Sequence, residues 1–341
     1  MSSTVAVKNT NEDSNTLSME ELIKEYQVLK ILNEKLYKRT LNQRRKILRL
    51  KHQSNLNDST DETEPKESTL NDNVWEDIEG YIHENDAAER LKNLIMGDNI
   101  DVSLVKEGKI NLISKVDGVL KMDTEALYQL NMIDEVIVAT KPNFMFLKKG
   151  DLIAGTRVIP LMIKEDKLLK AESIIKEKVI HMIPLKVKKV GMVTTGNEVY
   201  YGRIKDKFKD VMLPKIEQYD AQLIGQTIVP DDMEEITKAI NDHIKNGAEL
   251  IICTGGMSVD PSDITPNAIM NTGSEIITYG MPILSGSMTL IAYNKDVAIV
   301  GFPAGVLFSK KSSADVILHR LMCKDRITRE EVARYGNGGY L

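Results

Sequence analysis

Two carboxylates, Asp231 and Asp263, and a glycine doublet, Gly255-Gly256, are the residues of this sequence best placed by type and spacing to do chemistry. The doublet closes the apolar run Ile251-Ile252-Cys253-Thr254. It opens the polar stretch Met257-Ser258-Val259-Asp260-Pro261-Ser262-Asp263, before a helix start at Ile264-Thr265-Pro266. A strand ending in Gly-Gly presents bare backbone N–H groups at the carboxyl edge of a sheet, where open α/β sheets bind ligands. Successive N–H groups in such a turn form an anion-binding concavity. Three other stretches follow the same grammar: Thr195-Gly196-Asn197-Glu198 with Gly202 and Asp206, Val229-Pro230-Asp231-Asp232, and Gly301-Phe302-Pro303-Ala304-Gly305 ahead of a helix opening at Ser309. Glycine and hydroxyl residues at strand ends let a phosphate approach the backbone, and a helix N-terminus favours its charge. Two carboxylates beside phosphate oxygens are a usual way to hold Mg²⁺, with water and substrate completing an octahedron. Plainer roles stand beside these. Asp231 and Asp263 each precede a helix and could cap it, and glycine in a tight turn can serve geometry alone.

The elements that must position these residues form a strand–helix alternation from 185 to 324. Val190 to Thr194, Leu223 to Val229, Leu250 to Thr254 and Glu275 to Tyr279 have the apolar content of strands. Lys207 to Tyr219, Met233 to Asn246, Ile264 to Thr272 and Ser309 to Met322 have the pattern of helices, and Met288 to Tyr293 pairs with Val297 to Val300 as a hairpin. Continuous apolar strands separated by helices predict an α/β unit whose mostly parallel sheet is covered by helices. Residues 325–341, ending Gly336-Asn337-Gly338-Gly339, are expected to be a flexible tail.

Residues 74–184 predict a small α+β domain with no catalytic constellation. Asp86 to Met96 forms a helix stopped by Gly97, and Asp117-Gly118 between two apolar runs signals a hairpin joining 110–113 to 119–122. Asp123 caps a helix through Leu130, Val136 to Ala139 is a buried strand, and a helix runs from Glu165 to Lys178. Upstream, 1–16 is a polar tail and 53–73 a linker. Between them, 17–52 is an amphipathic helix with a capping box, Ser18 and Glu21, and an a/d seam carrying Asn33. Its basic end suits an acidic partner, and the seam predicts a coiled-coil homo-oligomer. The alternative is a helix docked on the chain's own core.

The bulk numbers narrow the setting. Of 341 residues, 42% are hydrophobic, enough for a real core, and the net charge of −5 argues against a nucleic-acid binder. Cys253 and Cys323 are the two cysteines, so no disulfide framework is implied, and the five histidines have no zinc spacing. There is no secretory h-region and no run of about 18 apolar residues for a membrane span. A cytoplasmic location is expected.

Taken together, Thr195-Gly196-Asn197-Glu198 with Gly202, Pro230-Asp231-Asp232, Thr254-Gly255-Gly256 through Asp263, and Gly301-Phe302-Pro303 resemble the molybdopterin-binding domain of molybdenum-cofactor biosynthesis enzymes. The likeness is to the molybdopterin molybdenumtransferase branch, in its stand-alone clostridial type. It spans about 186–320, with a fainter continuation back to about 75 that includes His83-Glu84-Asn85-Asp86 and the stretch from Ala154 to Pro160. The resemblance implies a site for a pterin dithiolene and its phosphate. Thr195, Gly196, Asn197, Glu198, Gly202, Thr254, Gly255, Gly256, Met257, Ser258, Pro303, Gly305 and Ser309 would hold the cofactor, with Glu198 orienting the pterin or a ribose if it is not simply a surface acid. Asp231 and Asp263 would be the catalytic, Mg²⁺-holding acids. The implied reaction is Mg²⁺-assisted insertion of molybdenum from molybdate into molybdopterin or its adenylate. Two alternatives are a non-catalytic carrier serving a molybdoenzyme and a nucleotide amidohydrolase or pyrophosphatase of the competence-damage type. The family's Pro-Gly turn is Pro303-Ala304 here; an Ala held at positive φ would cost about 1 kcal/mol or more.

Overall fold

The structure, a computed structural model, describes residues 80–258, 260 and 263–341. These lie in the compact unit Asp72–Leu341. The tail, coiled-coil and linker expected over 1–73 fall outside the described residues.

The chain enters through β1 (Tyr81–His83) and α1 (Glu84–Ile95), whose first turn is closed by the His83 ring accepting from Asn85 N. There follow β2 (Ile100–Val102), β3 (Lys109–Ser114), β4 (Gly118–Met122), α2 (Thr124–Asn131), β5 (Val136–Thr140), β6 (Phe146–Leu147), β7 (Leu152–Val158), β8 (Met162–Lys164), α3 (Glu165–Ile174) and β9 (Ile180–Pro184). They make a four-stranded sheet in the order β2-β3-β7-β5, a three-stranded sheet β6-β4-β9 and the pair β1-β8. Asp123 caps α2 as its position predicts, accepting from Glu125 N and Ala126 N.

The hairpin expected across Asp117-Gly118 does not form. β3 pairs with β2 and β7, whereas β4 pairs with β6 and β9. Gly118 is required for a different reason: a Cβ there would lie 2.1 Å from the Ile183 carbonyl oxygen of β9. The helix expected to reach Lys178 also stops early, at Ile174. Ile175, Val179, Ile180 and Met182 are drawn instead into the apolar core with Leu91, Ile95 and Leu120, and Ile180–Pro184 becomes the strand β9 against β4.

The second half builds the predicted α/β layer. Its elements are β10 (Lys189–Thr195), α4 (Asn197–Tyr200), α5 (Phe208–Glu217), β11 (Gln222–Val229), α6 (Met233–Lys245), β12 (Leu250–Thr254), α7 (Thr265–Asn271), β13 (Glu275–Tyr279), β14 (Leu290–Asn294), β15 (Val297–Phe302), α8 (Ser313–Met322) and α9 (Arg329–Arg334). The sheet order is β11-β10-β12-β15-β14-β13. The first four strands are mutually parallel, β14 runs antiparallel to them, and β13 pairs antiparallel with β14. Successive strand residues serve opposite faces. Met192, Ile252 and Val300 pack with Met212 and Ile216 of α5 and Ile317 and Leu318 of α8. Val193, Ile251 and Ile299 pack with Ile236 and Ile240 of α6 and Ala268 and Ile269 of α7. Burial on both faces is why β12 and β15 run apolar through successive positions. Each fully buried Ile or Leu contributes about 1.5–3 kcal/mol.

Three expectations at the carboxyl end are corrected. α8 begins at Ser313 rather than Ser309, because Ser312 and Asp315 close a capping box there. Ala304–Leu307 is a 3-10 turn, and Ala304 is not among the residues with positive φ, so the strain expected of it is absent. Residues 325–341 are not a free tail either. Ile327 and Val332 are buried in the core, α9 has its own Thr328–Glu331 capping box, and Leu284 N donates to Gly339 O at 2.7 Å.

Candidate functional site

The register of the parallel strands sets the site. Thr195 pairs with Val229, Thr194 with Thr254, and Thr254 with Phe302, so β10, β11, β12 and β15 end level. The four stretches singled out by sequence therefore all leave from one edge of the sheet. The chain goes from β10 to β11 on one side and returns to β12 on the other, making the gap between β10 and β12 the topological switch point at which such sheets bind ligands. The loops 195–197 and 255–257 flank that gap.

The glycine doublet is fixed by close approach. Gly255 has φ +86° and Gly256 φ +56°; a Cβ on the first would lie 2.1 Å from Thr195 O and on the second 2.7 Å from Thr265 Oγ1. The Thr265 hydroxyl donates to Gly255 O at 2.9 Å, which leaves it to accept from the Thr195 hydroxyl at 3.1 Å. Behind them, Thr254 Oγ1 donates to Thr194 Oγ1 at 3.2 Å, and Gln226 Nε2 bridges Thr194 Oγ1 at 2.9 Å and Asp206 Oδ2 at 2.6 Å. Asp206 in turn accepts from Phe208 N at 2.8 Å, closing the first turn of α5. Thr195 and Thr254 are buried and their hydroxyls are engaged inside the protein, so their part in the edge is to hold loop backbone in place.

Asp231 is not the cap of α6. That position belongs to Asp232, which accepts from Glu234 N at 2.9 Å and Glu235 N at 3.0 Å. Asp231 reaches across to the neighbouring loop instead: its Oδ2 accepts from Asn197 N at 3.0 Å, and Asn197 Oδ1 accepts from Asp231 N at 3.4 Å. Nor does Asp263 cap α7, whose N-cap position is Ile264 with no side-chain bond. Asp263 N donates to Asp260 O at 2.8 Å. The strands before the two acids, β11 and β12, lie on either side of β10, about 10 Å apart at the usual strand spacing. A ligand spanning the switch point would meet one acid from each flank.

Among the described residues no group of three or more His, Cys, Asp or Glu is arranged to hold a metal. Mg²⁺ does not need one, since it is commonly held by one or two carboxylates together with substrate phosphates and water. Asp231 keeps one oxygen clear of its bond to Asn197, so the donor chemistry fits a substrate-assisted Mg²⁺ site.

The remaining predicted residues occupy distinct positions. Glu198, Asn197, Gly202 and Ser258 are exposed, and Pro303, Gly305 and Ser309 are half-buried on the loop after β15. Gly196 has φ +137° and Gly202 φ +71°. Met257 is 2% exposed, with its thioether against Gly301, where a Cβ would meet the Met257 Cε at 2.5 Å. It packs under the loop. Cys253 is fully buried, and burial pushes its thiol up to about 12, so it takes no part as a nucleophile.

Tyr279 escaped the sequence reading. Its hydroxyl lies 3.1 Å from Met257 O and 2.9 Å from Ser258 O, tying β13 to the glycine loop. Burial, and then the charge of Asp263, raise its phenol above the ordinary tyrosine value. The only sequence signal was a tyrosine ending the run Glu275-Ile276-Ile277-Thr278-Tyr279. A hollow of about 260 Å³ lined by Glu249, Lys324 and Arg326 lies at the opposite, amino edge of the sheet. Two of its three cations are already paired, Lys324 with Glu249 at 2.8 Å and Arg326 with Glu275; Lys295 is the third.

Fold and edge together define an α/β domain whose topological switch point is flanked by two glycine-containing loops. Residues 191–322 match the family described as "Probable molybdopterin binding domain". The chain is 33% identical over 92 residues to a CinA-like protein of Thermosipho melanesiensis, covering 27% of this chain and 23% of that one. It is 26% identical over 105 residues to a molybdopterin adenylyltransferase of Pyrococcus furiosus, covering 31% and 62%. A molybdopterin molybdenumtransferase of Synechococcus elongatus is 24% identical over 111 residues, covering 30% and 28%. The chain thus spans from about a quarter to under two thirds of the length of these relatives. Among solved structures, the molybdopterin biosynthesis enzyme MoaB of Thermus is 18% identical, with a TM-score of 0.34, covering 41% of this chain and 98% of its own. No helix among the described residues is long and apolar enough to cross a membrane.

Proposed function

We propose that the strand edge between β10 and β12 binds molybdopterin or its adenylate and that the protein acts in molybdenum-cofactor biosynthesis, in the Mg²⁺-assisted step that inserts molybdenum. The observation that carries this reading is the level register of the four parallel strands, which brings the Gly255-Gly256 turn and the Asn197–Asp231 lock to the two sides of one switch point. The backbone N–H groups of the glycine turn would take the pterin phosphate. Asn197 and Asp231, fixed to each other, would orient the ligand on one flank. Asp263 would meet it on the other, beside the Tyr279-anchored loop. Asp231 and Asp263 would hold Mg²⁺, which when bound neutralises charge on phosphate oxygens. The metal capture itself belongs to the two dithiolene sulfurs of the ligand.

The deciding experiment is mass analysis of the ligand that co-purifies from cells grown with molybdate, comparing wild type with Asp263→Ala. A pterin phosphate retained by both proteins, with molybdenum incorporated only by the wild type, is the expected result. Protein that binds neither molybdopterin nor its adenylate refutes the reading. Equal binding and no turnover with or without Asp231 would make the protein a carrier serving a molybdoenzyme. The 33% identity to a CinA-like protein favours one further reading, a nucleotide hydrolase at the same edge. A nucleotide screen giving hydrolysis without molybdate would select it.

A further inference from the structure

A second cationic site lies on the outer face of the β2-β3-β7-β5 sheet, away from the strand edge. Lys109 of β3 and Arg157 of β7 are direct cross-strand partners, so their side chains leave the same face side by side. Both are exposed. Like charges placed directly opposite on antiparallel strands are destabilising. Lys106, from the β2–β3 connection, adds a third positive charge to the same hollow, which Ser103, Leu104, Glu107 and Asn111 also line. None of the three cations has a carboxylate within ion-pair distance among the described residues.

Two acids are near. Glu107 lines the hollow, opposing three cations with one anion. Glu84 lies outside that lining; burial raises its carboxyl above the ordinary value, against the charges of His83 and Arg157, which lower it. Ser103 Oγ accepts from Asn111 N at 3.0 Å and donates to Leu104 O at 3.1 Å, which fixes the rim of the hollow, and Asn111 stands next to Lys109 on the same face of β3. Leu104 is 93% exposed at the rim. At about 250 Å³ the hollow is smaller than a drug-sized pocket and suits a small ligand.

A local arrangement that costs stability without an evident gain marks a functional position more often than a defect. We propose that Lys106, Lys109 and Arg157, with Asn111, form a binding site for a small tetrahedral dianion, either a free oxyanion or the head of a phosphate monoester. The guanidinium of Arg157 offers paired N–H donors that match two oxygens of such a group, and the two lysines supply point charges. The site is independent of the pterin-phosphate reading, since no residue is shared.

The test is calorimetric titration of the full chain with inorganic phosphate, sulfate, molybdate and phenyl phosphate, at ionic strength matched with chloride. Saturable binding of at least one dianion is expected, weakened about tenfold or more by Arg157→Gln and by Lys109→Gln. It should be unchanged in Lys295→Gln, a lysine of the opposite hollow. Tighter phenyl phosphate than inorganic phosphate identifies an ester; the reverse identifies a free oxyanion. Folding supplies a second readout. Without anion, Arg157→Gln should melt no lower than wild type, because it relieves a like-charge pair, and at equal concentration the dianion should raise the wild type more than the variant. Binding equal in wild type and Arg157→Gln, an effect reproduced by chloride, or a lower melting temperature of the anion-free variant would overturn the proposal.

Discussion

Gly255 and Gly196 sit on the same strand edge with different constraints. At Gly255 an added Cβ meets Thr195 O at 2.1 Å, whereas at Gly196 it meets nothing within 4 Å. Both have positive φ, so alanine costs about 1–3 kcal/mol of backbone strain at either. At Gly255 the β10 loop must also move. Gly255→Ala should therefore lower stability more than Gly196→Ala in urea unfolding, and it should abolish ligand binding. Equal losses would show that the contact with Thr195 is soft. Asp231→Asn keeps an acceptor for Asn197 N but loses the charge. It should leave the melting temperature near wild type and weaken any Mg²⁺-dependent step, while Asp231→Ala should lower both. At the same scale, Cys253 and Cys323 are fully buried, with thiols pushed up to about 12 chiefly by burial. Neither should react with iodoacetamide at pH 8 until the protein is unfolded.

Between elements, α6 is held against the sheet by His243. Its Nε2 is 3.0 Å from Thr227 Oγ1, and its ring fills the space left by Gly191, where a Cβ would lie 2.9 Å away. Burial lowers the affinity of this imidazole for a proton, and burial does the same to His319 of α8. In the unfolded chain a histidine binds its proton near pH 6.5, so below that pH the unfolded state holds more protons than the folded one. The stabilisation is fully present above about pH 6.5 and is lost as the pH falls below it, at no more than about 1.4 kcal/mol per pH unit for each histidine. Urea midpoints measured from pH 8 to pH 5 should fall accordingly, and His243→Gln should flatten the slope. The hairpin expected at Asp117-Gly118 fails at this same scale. Local turn chemistry is identical whether the next strand pairs backward or crosses to another sheet. The need for glycine came from Ile183, 65 residues away in sequence and in contact only after folding.

Across the whole molecule, one charged cluster joins the α+β half to the α/β half. Arg320, 0% exposed, bonds Asp325 at 2.6 Å, Glu331 at 2.6 Å and the Tyr335 hydroxyl at 3.2 Å, with its guanidinium 3.8 Å from the Phe144 ring centroid. Lys121 reaches Asp325 at 2.7 Å, and a ring nitrogen of His319 is 2.7 Å from Phe144 O. Burial alone would lower the affinity of Arg320 for its proton, but Tyr335, Asp325 and Glu331 outweigh it and keep the group charged. Removing one member leaves buried charge uncompensated, so Arg320→Ala should cost about 3–5 kcal/mol in urea unfolding. A loss under about 1 kcal/mol would show that the cluster is dispensable.

The sequence by itself determined the α/β layer and the content of its edge. Doubly covered strands must be apolar throughout, and a strand that ends in glycine followed by an acid is legible in one dimension. It therefore yielded β12 and β13 to the residue, the order of the four loops, and Asp231 and Asp263 as the acids on them. Only the tertiary structure decided how those parts meet. Register made the strand ends level; pairing of β10 with both β11 and β12 created the switch point; Asp232, one residue on, took the cap and freed Asp231 for Asn197. The same holds for Tyr279 on the Met257–Ser258 carbonyls, for the tail folded back through Ile327 and Val332, and for Lys109 set beside Arg157. Each depends on which distant segment lies alongside, and that is fixed by the packing of the whole core rather than by any local pattern.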